Sequence, residues 1–573
     1  MGHPQMGKRG WLDKGRGTIT LLAMMRGFFF VCFVLPVISL VPVHGAVDVS
    51  AFGLLAIQDG DRIKPVDTFA EESLIRISGR AEVKAGGRTW GADEWALSML
   101  LDTHSWADEP LILVAHRPLV EKLGLDPKQK RFSFKQLAAV TRLQDLLREA
   151  HALRREEKTL SRELLEAENV AARLTVFTRI ADGSAFLLVP SAEGAPNWLT
   201  PPEASPAYGP EKFASTLKHL QAVGTHYLAG EPFPFTLNAN QLRLAIRALR
   251  PEVYPSEMTL KTEVFYNRAK LFEHATWIYL LAFFLLLAGR AFKPALRVGC
   301  GLAVAGVLLQ TAGIVLRCVI AGRPPVTNMY ESVIWVAWGA VAFGLVFALR
   351  YRTALYLLAA LPAAALCLLI VHQIPLAMPA RLDPLVPVLR SNFWLTVHVL
   401  TITLSYAAFL LAMAFGHIVL FRVIRRPAET HADSEVHFWL YRVLQMGVLL
   451  LAVGTILGGV WANYSWGRFW GWDPKETWAL IALLAYIFAL HGRLAGWWGK
   501  FGLAVASVAC FLAVIMAWYG VNFVLGVGLH SYGFGLGGEE YVVAFVLADA
   551  AFVAAAIWRH RGIKDLSVTE AGV

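Results

Sequence analysis

The stretch Trp461-Ala462-Asn463-Tyr464-Ser465-Trp466-Gly467-Arg468-Phe469-Trp470-Gly471-Trp472-Asp473-Pro474-Lys475-Glu476 lies between two long apolar runs, and its reading decides the fold. It sets four tryptophans at one membrane surface, with Trp478 just beyond. Indole rings settle at headgroup depth, but an anchoring belt needs neither this density of rings nor a Gly-Trp-Asp-Pro turn. The expectation is a flat binding surface for a large planar ligand.

Composition agrees that the chain lives in a bilayer. Hydrophobic residues make up 56% and charged residues only 17%, where soluble domains carry about 25% charged; mean hydropathy is +0.49. Residues 45–272 mix acids and bases freely, whereas residues 273–560 form successive apolar spans with short loops. An isoelectric point near 9.3 does not point to nucleic acid, because the excess bases sit beside the spans. The expected fold class is an all-α polytopic membrane protein: an N-terminal apolar segment, a mainly helical extracytoplasmic domain and about nine C-terminal transmembrane helices.

By length and apolarity the spans run approximately over 274–290, 298–318, 330–349, 353–372, 394–421, 438–460, 477–492, 501–525 and 541–558. Fourteen Lys and Arg flank them on the side of Arg290, Arg350, Arg422, Arg493 and Arg559, against six on the side of Arg323, Arg390 and Lys475. The positive-inside rule then places the tryptophan loop (461–478) and residues 45–272 outside and the tail 561–573 in the cytoplasm. Residues 1–44 carry Lys8, Arg9, Lys14, Arg16 and Arg26 ahead of the apolar run Gly27–Val41. They read either as a signal peptide with a weak cleavage site at Val43 and Gly45 or as a retained anchor.

Within 45–272, Thr68 to Glu71 has capping-box spacing before an apolar stretch ending near Ile77. Residues 133–178 show helical periodicity, 190–210 carry six prolines and read as a loop, and helical patterns resume at Glu211–Tyr227 and Asn238–Leu249. No catalytic constellation stands out there. Cys32, Cys300, Cys318, Cys367 and Cys510 all lie within apolar spans, so no thiol pair forms an outward redox motif. The chain has no Cys-x-x-Cys-His, so it is not itself a c-type cytochrome, and no phosphate loop for ATP-driven transport.

An ionisable group in a span is functional by default. His398 lies about one turn inside the span that begins near Trp394, and His530 sits in the glycine-rich loop Gly528-Leu529-His530-Ser531-Tyr532-Gly533. Both flank the tryptophan loop and share its side. Two neutral imidazoles facing each other make an axial pair for heme iron, with a tryptophan wall for the porphyrin plane. His491 ends the span after the loop, near the inner face, where it either snorkels to the headgroups or binds a ligand. His417 lies near the inner end of its span.

These residues resemble a family. The loop, ending Asp473-Pro474-Lys475-Glu476-Thr477-Trp478, resembles the WWD signature of heme-handling membrane proteins, and most closely the CcsA/ResC branch of system II cytochrome c biogenesis. The likeness covers roughly 270–560. It includes Gly322-Arg323-Pro324-Pro325-Val326-Thr327-Asn328-Met329-Tyr330-Glu331-Ser332 and Leu529-His530-Ser531-Tyr532-Gly533-Phe534. Phe469 stands where the family often has Tyr. The N-terminal half does not look like the CcsB/ResB partner; Lys64-Pro65-Val66-Asp67-Thr68-Phe69 and Tyr254-Pro255-Ser256-Glu257 resemble the accessory segment of extended CcsA-like proteins.

The resemblance implies a protein of the bacterial inner membrane. In it His398 and His530 hold heme b at the outer surface against Trp461, Trp466, Trp470, Trp472, Asp473 and Trp478, while His491 holds it nearer the cytoplasm. It implies covalent thioether attachment to the Cys-x-x-Cys-His segment of apocytochrome c by positioning, with no acid or base assigned. A heme exporter handing heme to a separate ligase would use the same residues. Implied partners are a CcsB/ResB-like membrane protein, apocytochrome c and its thiol-reducing pathway. Arg468, Lys475 or Arg323 would meet the heme propionates, or serve loop solubility alone. The span Gly27–Val41 has no histidine, so the second membrane ligand is expected from the partner.

Overall fold

The computed structural model describes residues 47–192, 195–373, 378–385, 389, 391–425, 434–526, 528–530 and 538–571. The expected apolar segment Gly27–Val41, its cleavage site at Val43 and Gly45, and residues 531–537 of the glycine-rich loop lie outside these.

Residues 47–256 are mainly helical, and they also carry three two-stranded antiparallel sheets. Glu82–Ala85 pairs with Arg88–Gly91 through Gly86 and Gly87, both at positive φ, as a tight two-residue hairpin turn requires. Two local expectations need correction. The helix Val66–Ser78 starts at Pro65, so Thr68 lies inside it, and its hydroxyl accepts a 2.9 Å bond from Asn267 Nδ2 instead of capping. The proline-rich stretch is not all loop. Pro201–Tyr208 is a helix, because Pro201 is preset for a first turn and Thr200 and Glu203 form a capping box.

Nine helices among the described residues are long and apolar enough to cross a membrane: α1 Glu257–Ala288, α2 Lys293–Ala321, α3 Met329–Tyr351, α4 Leu355–Gln373, α5 Asn392–Arg425, α6 Val436–Trp466, α7 Pro474–Leu494, α8 Lys500–Leu525 and α9 Glu539–Gly562. The chain is therefore a multi-pass membrane protein, and the expected spans overrun these helices by two residues at most. The largest difference is α1, which begins at Glu257 and breaks at Lys270, held in the left-handed region (φ 43°).

Helix association in a bilayer relies on close packing and buried hydrogen bonds, since lipid is as apolar as leucine. Tyr279 of α1 donates to Gln310 of α2 (2.6 Å), which donates to the Ile334 carbonyl of α3 (3.0 Å). Phe409 of α5 stacks on Tyr486 of α7 with centroids 3.7 Å apart. Residues 47–256 sit on the end of the bundle that carries the α4–α5 and α8–α9 loops. Arg268 pairs with Asp67 (2.7 Å), Arg62 with Glu263 (2.6 Å), and Arg162 reaches Glu540 at the start of α9 (3.6 Å).

Candidate functional site

The tryptophan loop is a reversal between two helices. Gly467, at φ 69°, ends α6, and Asp473 caps α7, whose first residue Pro474 has no amide hydrogen to satisfy. Glu476 closes the capping box, accepting from Asp473 N (3.3 Å) and Gly471 N (2.8 Å). The Asp-Pro-Lys-Glu run is thus a helix start.

Asp473 also holds the next loop. Its Oδ1 accepts from Lys475 N (3.0 Å) and from His530 Nδ1 (2.9 Å), and its Oδ2 from Leu529 N (2.6 Å). A Cβ at Gly528 would collide with that carboxylate, so only glycine lets the two loops approach this closely. Burial would raise the Asp473 carboxyl, but the Lys475 amide and His530 outweigh it and hold it below the ordinary carboxylate range. Burial keeps the His530 ring below the usual imidazole range despite Asp473 beside it. The neutral ring with a carboxylate at Nδ1 carries its proton there and its lone pair on Nε2. Trp466 stands edge-on to His530, with centroids 5.1 Å apart.

His398 is built the same way from different elements. It sits in a π-helical turn, Leu395–Val399, at the start of α5, a local widening frequent at functional sites. Its Nδ1 donates to the Gly454 carbonyl of α6 (2.8 Å), again leaving the lone pair on Nε2. The ring fits because Gly458 has no side chain; a Cβ there would lie 2.7 Å from the imidazole. Trp461 stands 5.6 Å away and stacks on Trp394 at 6.4 Å. Phe469 lies over Gly459, the neighbour of Gly458. Gly454, Gly458 and Gly459 escaped the sequence reading, though small residues four apart on a span signal close helix approach.

The remaining candidates divide. Trp470 and Trp472 are perpendicular to each other at 5.9 Å; Trp472 is 69% exposed and held at φ 58°. Trp478 is half-buried one turn into α7. His491 is not brought to this site. It lies at the other end of α7, about 27 Å away at 1.5 Å per residue, exposed, with Nδ1 on the Ile487 carbonyl (2.9 Å). Phe488, Trp497 and Trp498 cluster beside it. His417 faces acceptors at both nitrogens, the Met413 carbonyl (2.9 Å) and Asp549 Oδ1 (2.6 Å).

The Gly322–Ser332 motif does structural work. Asn328 caps α3, and buried Glu331 pairs with buried Arg317 (2.8 Å) and accepts from Thr327 N (2.8 Å). Arg317 also reaches the Arg381 carbonyl (3.4 Å), tethering the loop whose Leu385 and Leu389 pack with Trp461. Of the three candidate cations, Arg468 is paired with Glu476 (2.9 Å) and Arg323 donates to the Asp383 carbonyl (2.7 Å).

Comparison with known proteins fits this geometry. Residues 326–530 match the family model for "Cytochrome C assembly protein". "Cytochrome c biogenesis protein CcsA" of Synechococcus sp. (strain RCC307) is 37% identical over 265 residues, covering 40% of this chain and 83% of that protein. Its namesake in Prochlorococcus marinus (strain MIT 9301) is 37% identical over 257 residues, 39% of this chain and 81% of that protein. "Protein NrfI" of Wolinella succinogenes is 32% identical over 512 residues, 84% of this chain. That alignment extends well beyond the membrane-spanning helices, and this chain spans about half (54%) of the length of NrfI.

Proposed function

The chain belongs to the CcsA family of cytochrome c assembly proteins, and from that premise we propose that it holds heme between His398 and His530 for covalent attachment to apocytochrome c. One observation carries the reading. Both rings have Nδ1 fixed by a backbone or carboxylate acceptor, which sets the tautomer with its lone pair on Nε2, and both have a tryptophan edge-on. Iron-ligating histidines are oriented in this way. The donor set therefore fits heme with two axial imidazoles.

Heme is the substrate here. It supplies vinyl groups across which the S–H bonds of the acceptor's cysteines add, forming thioethers with no external oxidant. The chain's own part is to bind, orient and shield, so its gain is proximity and orientation. Trp466 and Trp461 limit where the plane can lie, and Trp472, with half-buried Trp470 beside it, offers exposed aromatic surface for the incoming polypeptide. On the charge asymmetry of the loops, this end faces outward and the C-terminus lies in the cytoplasm, with residues 45–272 an external accessory domain.

His491 is read as the inner heme ligand. It is exposed on the bundle surface, and His417, near its depth, has both nitrogens facing acceptors. The second inner ligand is therefore assigned to a separate CcsB/ResB-like chain.

The test is the absorption spectrum of the purified protein. Wild type should carry a bis-histidine Soret band, and His398→Ala or His530→Ala should lose it and regain part with added imidazole. A normal band in both variants sinks the axial pair. Thioether product formed by purified chain and partner separates a synthase from a heme carrier.

A further inference from the structure

Lys475 is the second residue of α7, between the cap Asp473 and Glu476. Both neighbouring carboxylates are committed elsewhere. Asp473 takes the His530 ring and the Lys475 and Leu529 amides, and Glu476 takes Arg468 and the Gly471 and Asp473 amides. Among the described cations of this end, Arg317 has Glu331, Arg381 has Asp383, and Arg323 donates to the Asp383 carbonyl. Among the described residues, no carboxylate lies within ion-pair distance of the half-buried Lys475 ammonium, although Asp473 attracts it from farther off. The Lys475 amide shares Asp473 Oδ1 with the His530 ring, so Lys475 stands at the start of α7 beside that ring.

A partly desolvated ammonium without a counter-ion is costly, and an anion seated beside it removes that cost. We propose that Lys475 receives a propionate carboxylate of heme held between His398 and His530, fixing the rotation of the macrocycle in its own plane. Propionates and vinyls occupy opposite edges of the porphyrin. Pinning the propionate edge at Lys475 turns the vinyl edge away from α7. This rests on the axial-pair reading given above, and it separates Lys475 from Arg468, which is paired with Glu476, and from Arg323, which holds the Asp383 carbonyl.

The experiment titrates the full-length chain in detergent with heme and with heme dimethyl ester, whose propionates are neutral, following the bis-histidine Soret band. Lys475→Gln should weaken heme binding about tenfold, the scale of one charge-assisted hydrogen bond, and Lys475→Arg should keep most of it. With the ester, wild type and Lys475→Gln should bind alike, which also shows that the variant's site is intact. Equal heme affinity in wild type and Lys475→Gln, or the same loss with heme and ester, overturns the lysine assignment alone. An unchanged band in His398→Ala and His530→Ala overturns the axial pair, and the lysine assignment with it.

Discussion

Asp473→Asn exchanges one carboxylate oxygen for an NH2 at the point where two loops meet. If the remaining oxygen stays on Lys475 N and His530, the new NH2 faces Leu529 N, donor against donor, in place of a 2.6 Å bond. If the amide flips, His530 must accept at Nδ1, which moves its proton to Nε2 and closes that nitrogen to iron. In either arrangement a buried donor loses its acceptor, at about 1–3 kcal/mol. Asn caps a helix as well as Asp does, so the start of α7 survives. Loss of the orienting carboxylate should lower heme affinity about 10- to 100-fold.

The pH dependence supplies a second readout with a definite sign. Burial depresses the His530 pKa while Asp473 raises it. The neutral ring's contribution is complete above the ordinary imidazole range and is lost as pH falls through the depressed value. Without Asp473 the ring resists protonation further. The bend in log affinity against pH, read by Soret titration, should therefore move to lower pH in Asp473→Asn even as affinity at neutral pH falls. General loosening of the site would not shift the bend that way. Unchanged affinity, or a bend that stays put or moves to higher pH, refutes the reasoning.

Two further outcomes are expected. Expressed alone in a host without its own maturation system, the chain should give no covalent heme on a reporter cytochrome; a CcsB/ResB-like partner should restore it, and His491→Ala should then lower heme content. Robust maturation by the chain alone would show that the partner is dispensable. Reporter fusions after residues 200, 325, 385, 465 and 535 should be active outside and those after 295, 425 and 565 inactive, an order that the loop charges require; an outside signal at 425 inverts the orientation.

The spans were legible because length and apolarity are properties of the chain itself, and α2 to α9 begin and end near where hydropathy places them. The two histidines were legible because they flank a loop of unusual composition. Their second partners were not. Nothing local to His398 announces the Gly454 carbonyl, which lies 56 residues away, and Gly458 matters only for the space it leaves. Asp473 could be read as part of a ligand surface, yet its oxygens serve a cap and a loop more than 50 residues on. Thr68 shows the reverse error: the capping-box spacing is present, but Pro65 starts the helix earlier and the hydroxyl serves Asn267, 199 positions away.

The His417–Asp549 contact bears on how the last helix enters the bilayer. With acceptors at both nitrogens, His417 satisfies its surroundings best as an imidazolium facing a carboxylate. Only 11% of the hydrophobic stretch of α9 is buried within the protein, so this contact is a large part of what holds its middle. An unpaired aspartate at mid-span costs about 2.5–3.5 kcal/mol on insertion, and here the neutralising charge waits 132 residues upstream on α5. During synthesis α9 can settle only against an α5 already in place.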